Sequence, residues 1–187
     1  MKDNKMKEHK DIARRDPQLI VVFGLPGSGK STFARELACA IDARIINSDM
    51  IRGEILLRGN YSEKAKERVY SEMLKMAVAK IEHGESVILD GTYYKEKLRR
   101  KVEKKAQELH LIPHFIEVKA DEEVIRQRVS RRREDSDADY DVYLNIRSQF
   151  EPLCSYHLIV HSDSQTPEEM LTKALLFIGI YHEAMGN

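Results

Sequence analysis

Residues 19–31 read LIVVFGLPGSGKS, and this stretch decides how the rest of the chain is read. Five apolar residues in a row, ended by Gly24, suit a short strand buried on both faces. Residues 24–31 then satisfy G-x-x-x-x-G-K-[ST], a pattern that carries meaning only between a strand and a helix, as it does here. Gly27 and Gly29 let the backbone bend so that successive N–H groups point inward, and the helix start adds its partial positive charge to the same anion hole. The loop and its flank, Gly24, Pro26, Gly27, Ser28, Gly29, Lys30, Ser31 and Thr32, form a phosphate cradle. Lys30 is placed for the β- and γ-phosphates of a nucleotide, and the Ser31 hydroxyl for Mg²⁺.

Working outward, apolar runs of strand length alternate with helical patterns. Residues 32–41 read as a helix and 43–47 as a second strand, with Ser48 as the cap of a helix from about Asp49. Ser62 caps a long helix running to about residue 83, with Val69, Met73, Met76 and Ala77 at helical spacing. Residues 86–90, 113–118 and 157–161 are further short strands, and 94–109, 122–132 and 140–150 are helices. Thr166, Pro167 and Glu169 open a last helix with a capping box, and Met170, Leu171, Ala174, Leu175 and Ile178 form its apolar stripe. Five short strands separated by helices predict an α/β fold with a parallel sheet covered on both faces.

Composition bounds what such a domain can be. The 187 residues carry 31 basic and 31 acidic side chains, so net charge is zero and nothing steers the whole molecule toward nucleic acid or membrane. Residues 1–16 are charged, lack the apolar core of a secretory signal and read as a flexible tail. Residues 17–187 form a single domain with a short lid at about 130–140. No apolar run reaches the ~20 residues of a membrane helix, which points to a cytoplasmic protein. Cys39 and Cys154 lie in apolar patterns outside any CxxC pair and are expected as buried free thiols. His114, His157 and His161 lack metal-ligand spacing.

The phosphate loop in this context resembles that of the P-loop kinases, the superfamily of nucleoside monophosphate, gluconate and shikimate kinases and phage-type polynucleotide kinase. The resemblance spans residues 18–183 and implies a three-layer α/β/α fold with a five-stranded parallel sheet in the order 2-3-1-4-5. It also implies an enzyme: an ATP- and Mg²⁺-dependent phosphotransferase acting on an alcohol group.

Three further segments match that family. In NSDMIR, residues 47–52, Asp49 takes the place of the general base on the attacking hydroxyl. Arg52, three residues on, takes that of the arginine holding an acceptor phosphate. Asp90 ends a strand in VILDGTYY and resembles the acid that orients Mg²⁺ or binds acceptor, with Thr92 and Tyr93 beside it. In RQRVSRRRED, residues 126–135, Arg128 and Arg132 resemble the lid pair, the first lying on the nucleotide and the second reaching the transferring phosphate. The triple arginine leaves the register open among Arg131, Arg132 and Arg133. The following SDAD segment resembles one in related kinases, and no chemistry is assigned to it.

The acceptor stays open at this point. A small hydroxylated or nucleotide-like metabolite is the first reading. A nucleic-acid 5′-hydroxyl is the second, drawn from Asp49, Arg52 and the seven basic residues within 95–105. A nucleotide-hydrolysing switch or regulatory ATP-binding module is the third. Zero net charge is a sum of blocks, since residues 126–133 hold five basic side chains and 134–141 five acidic ones.

Overall fold

The computed structural model describes residues 16–130 and 140–180. In chain order these form β1 (Leu19–Phe23), α1 (Lys30–Ile41), β2 (Arg44–Asn47), α2 (Ser48–Glu54), α3 (Glu63–Glu82), β3 (Val87–Asp90) and α4 (Glu96–Glu108). Then follow β4 (His114–Lys119), α5 (Glu122–Ser130), α6 (Tyr140–Ser148), β5 (Leu158–His161) and α7 (Pro167–Phe177). All strand pairs are parallel, and the order is β2-β3-β1-β4-β5. The expected architecture is therefore the observed one.

β1 is central and every residue in it is buried, because its two faces feed two separate cores. Leu19, Val21 and Phe23 face a core closed by α3 and α4 through Val69, Met73, Leu98 and Val102. Ile20 and Val22 face the opposite core, closed by α1 and α7 through Phe33, Leu37, Met170 and Ala174. A strand with no solvent face has no use for alternation, which is why the run reads as continuously apolar.

Three local expectations change. The cap of α2 is Asn47 rather than Ser48: its side chain accepts from the N–H groups of Asp49 and Met50. The helix expected from residue 94 starts at Glu96, because Tyr93 adopts φ 42° and Tyr94 is buried beneath the chain. Cys39 and Cys154 are both exposed. Leu37 and Ala38 take the inward positions of α1, and the next residue, 100° further round, faces water. The capping box of α7 forms as expected. Residues 1–15, most of the expected tail, and 131–139, with Arg132 and the SDAD segment, lie outside the described residues.

Among the described residues no helix is long and apolar enough to cross a membrane.

Candidate active site

The phosphate loop sits where β1 stops and α1 begins. Gly24, at φ 147°, passes so close to β4 that an added Cβ would lie 2.3 Å from the carbonyl oxygen of Val118. Gly29 caps α1 at φ 88°, a left-handed conformation that glycine adopts at little cost. Among the described residues no side chain caps α1, and no acid lies in its first turn, so its terminal N–H groups and dipole are left to an anion.

The loop is braced from outside. Arg128 on α5 donates through Nη1 to Ser162 Oγ at 2.8 Å and to the Gly27 carbonyl at 3.3 Å, and through Nη2 to the Ser162 carbonyl at 3.0 Å. Ser162 Oγ in turn donates to the Ser28 carbonyl at 2.6 Å. The carbonyls of Gly27 and Ser28 are thus held by a clamp joining α5 to the segment after β5. Arg128, placed on the nucleotide by resemblance, braces the loop in this conformation. Nothing in the sequence flags Ser162, since a serine directly after a strand is unremarkable.

The acids converge at the carboxyl ends of neighbouring strands. Asn47 of β2 pairs in register with Asp90 of β3, and Asp90 with Val22 of β1, two residues before the phosphate loop. Adjacent strands lie about 4.8 Å apart, so Asp49, Asp90 and the loop share one crevice. Asn47 Nδ2 donates to Asp90 Oδ2 at 2.6 Å, while Asp90 Oδ1 is buried with no partner among the described residues. Asp49 is exposed in the first turn of α2, where the helix dipole favours its charge.

A tyrosine pair forms the floor beside Asp90. Tyr70 of α3 shares a hydrogen bond with Thr92 Oγ1 at 2.8 Å and accepts from the Tyr93 N–H at 3.2 Å. The Tyr70 and Tyr93 rings lie 4.6 Å apart. Burial pushes both phenols above their ordinary range, Tyr93 well above, so both keep their protons. The Tyr93 hydroxyl, like Asp90 Oδ1, is buried and has no partner among the described residues. Asn47 and Tyr70 escaped the sequence reading. An Asx residue just before a helix start was the signal for the first; nothing marked the second.

The basic residues behave differently from their sequence appearance. Arg52 is buried, donates to the Asn60 carbonyl at 2.6 Å and stacks over Tyr61 at 4.6 Å, so its guanidinium ties the α2–α3 loop together. Arg99, counted in the basic run at 95–105, is 1% exposed and bonds to the carbonyls of Tyr93, Glu151 and Pro152. That corrects its place on a basic rim. Most of its neighbours are neutralised. Lys97 pairs with Glu67 at 2.7 Å, Arg100 with Glu96 at 2.8 Å, Lys95 with Glu151 at 3.5 Å, and Lys105 with Glu108.

A family model described as AAA domain matches residues 19–153. The chain belongs to that family. Within it this chain has the P-loop kinase-like fold, with the phosphate loop at the start of the matched region. A sugar kinase from Janibacter sp. HTCC2649 superposes with TM-score 0.72 at 21% identity, covering 88% of this chain and 95% of that one. A gluconokinase from Sinorhizobium meliloti 1021 gives 0.69 at 20%, covering 88% and 93%. The Mycobacterium tuberculosis APS kinase in complex with AMPPNP and APS gives 0.71 at 13%, covering 88% and 99%. By sequence, uncharacterized proteins Rv2004c of M. tuberculosis and Mb2027c of M. bovis are 33% identical over 138 residues, 67% of this chain. The chain spans 28% of the length of these relatives.

Proposed function

We propose that this AAA-family chain is a kinase that transfers the γ-phosphoryl group of ATP to a hydroxyl of a small molecule. The observation that carries the reading is the shared crevice: an uncapped helix N-terminus behind a glycine loop, with Asp90 at a neighbouring strand end and Asp49 in the first turn of α2.

In this mechanism the loop N–H groups and Lys30 hold the phosphates and draw charge from the transferring group. Asp49 accepts the proton of the attacking acceptor hydroxyl, and Asp90 and Thr92 orient that acceptor, while Tyr93, expected beside it, is buried in the core. Arg128 steadies the loop beneath the nucleotide, and Arg132 is the proposed charge-stabilising lid arginine. Mg²⁺ fits the donors present, because Asp90 Oδ1 and the Ser31 hydroxyl are oxygen ligands, and this ion is ordinarily held by one or two protein oxygens together with phosphates and water. Bound there, it would screen the phosphate charge. Among the described residues no three His, Cys, Asp or Glu side chains gather into an all-protein metal cage, and such a site needs none.

The small acceptor is favoured over a nucleic-acid 5′ end for a physical reason. Binding a phosphodiester strand needs free cations, and α4 presents cations largely matched by Glu67, Glu96, Glu108 and Glu151. Arg52 already has a carbonyl and a ring for partners. A soluble sugar or polyol, read by carboxylate and hydroxyl groups, suits the crevice better.

The test is a panel of acceptors with γ-labelled ATP, including sugars, polyols, nucleosides and a 5′-hydroxyl oligonucleotide. Label transfer to a small polyol supports the reading. Transfer to the oligonucleotide alone replaces the acceptor, and ATP hydrolysis that no acceptor accelerates overturns the kinase reading.

A further inference from the structure

Beside the phosphate loop, at the carboxyl end of β4 and against β5 and α6, lies a cavity of about 510 Å³ whose lining includes neither Asp49 nor Asp90. Leu25 and Ser28 of the loop form one wall, and Ile125, Phe150 and Ile159 form others. Its volume is in the range of small-molecule sites. None of Asp49, Arg52, Asp90, Thr92 and Tyr93 lines it.

Its polar end is built rather than incidental. Glu117 of β4 is 7% exposed, in register with Phe23 of β1, and its carboxylate faces the cavity. Oε2 takes Lys119 Nζ at 3.2 Å and His157 Nε2 at 3.5 Å. Among the described residues no group bonds to Oε1. Ser28 Oγ, 1% exposed, is likewise unpartnered. Glu117 Oε1 is open to solvent, whereas Ser28 Oγ is a buried polar atom left open, at a cost in free energy that a ligand hydrogen bond would recover.

We infer that this cavity is a second small-molecule site, taking a neutral, largely apolar ring compound with one hydroxyl or N–H donor directed at Glu117 Oε1. The apolar walls set the ring. Charge decides the head group: Lys119 already balances Glu117, so a cationic head would add uncompensated charge beside Lys119, whereas a neutral donor fills Oε1 at no electrostatic cost. The site is coupled to the phosphate loop through shared atoms. The Ser28 N–H donates to the Leu25 carbonyl at 3.2 Å, so a ligand packed on Leu25 and Ser28 stiffens the turn that receives a phosphate. Coupling of that kind is reciprocal. The inference does not rest on the kinase reading.

Phenol, indole and benzylamine, titrated separately into the isotopically labelled full chain and followed by backbone amide shifts, test it. Phenol or indole is expected to shift the amides of Leu25, Ile125, Phe150 and His157 with saturable millimolar affinity, and benzylamine, a cation at neutral pH, to bind several-fold more weakly. Ile159→Trp fills the cavity from its partly exposed edge and should abolish these shifts. Glu117→Leu should weaken phenol about tenfold, close to the loss of one hydrogen bond to a charged group. Thermal unfolding of each variant confirms that it is folded, and Ile159→Trp alone decides the matter if Glu117→Leu is not. No saturable shifts in the unsubstituted chain, shifts unchanged by Ile159→Trp, or preference for benzylamine would each overturn the inference.

Discussion

Asn47 Nδ2 donates to Asp90 Oδ2 at 2.6 Å while Asn47 Oδ1 accepts from the N–H groups of Asp49 and Met50. One amide side chain therefore starts α2, which carries the proposed base, and orients the acid that ends β3. Asn47→Ala should lose the cap, worth about 1 kcal/mol, and lower the melting temperature by roughly 2–4 °C for a domain of this size. It should also free Asp90 to rotate, so transfer should fall by about tenfold or more while ATP affinity stays level. Unchanged transfer beside a lowered melting temperature would reduce Asn47 to a cap.

Lys30 lies at the first position of α1, partly exposed, with no ion pair within 4 Å among the described residues. Lys30→Ala should leave stability within about 0.5 kcal/mol, as surface changes do, yet remove the thermal stabilisation that ATP confers on the unsubstituted chain. Equal protection by ATP in the variant would place the nucleotide elsewhere.

Asp49→Asn keeps size and hydrogen-bonding reach but cannot take a proton at neutral pH. Transfer should drop by roughly 10²–10⁴-fold, the usual weight of general-base assistance, with ATP-induced stabilisation intact. A loss of ATP binding instead would assign Asp49 to the nucleotide.

Ser162→Ala removes the hydroxyl that joins Arg128 to the Ser28 carbonyl. The loop loses its brace without losing any group that touches phosphate. The KM for ATP should rise several-fold with a smaller change in kcat, measured by steady-state kinetics at saturating acceptor. A kcat effect with KM unmoved would instead implicate Ser162 in the transition state.

His114 opens β4 with its ring edge-on to Phe177 of α7 at 5.6 Å, and burial holds its pKa below the ordinary 6.5. The folded chain thus resists protonation that the unfolded chain accepts. Its contribution is present above pH 6.5 and is lost as pH falls toward the depressed folded value. Melting temperature should decline as pH is lowered from 7 to 5.5, and His114→Phe should flatten part of that decline.

The glycine loop, the strand run before it and the cap of α7 were legible because each depends on residues close in the chain. The lysines and arginines of 95–105 were not. Arg99 and Lys101 look alike in sequence, but helical geometry puts Leu98, Arg99, Val102 and Ala106 against the core. There, burial lowers the Arg99 pKa and three carbonyls hold its charge.

What the sequence alone determined is the alternation of buried strands and helices and the phosphate loop between the first pair, since periodicity and glycine chemistry act locally. Which groups stand around that loop was decided by the tertiary structure. Ser162 reaches the Ser28 carbonyl across 134 residues only because β4 lies between β1 and β5, and Asn47 reaches Asp90 only because β2 and β3 are in register. Hydrogen bonds are short-ranged, so such partners exist only once the sheet has ordered its strands.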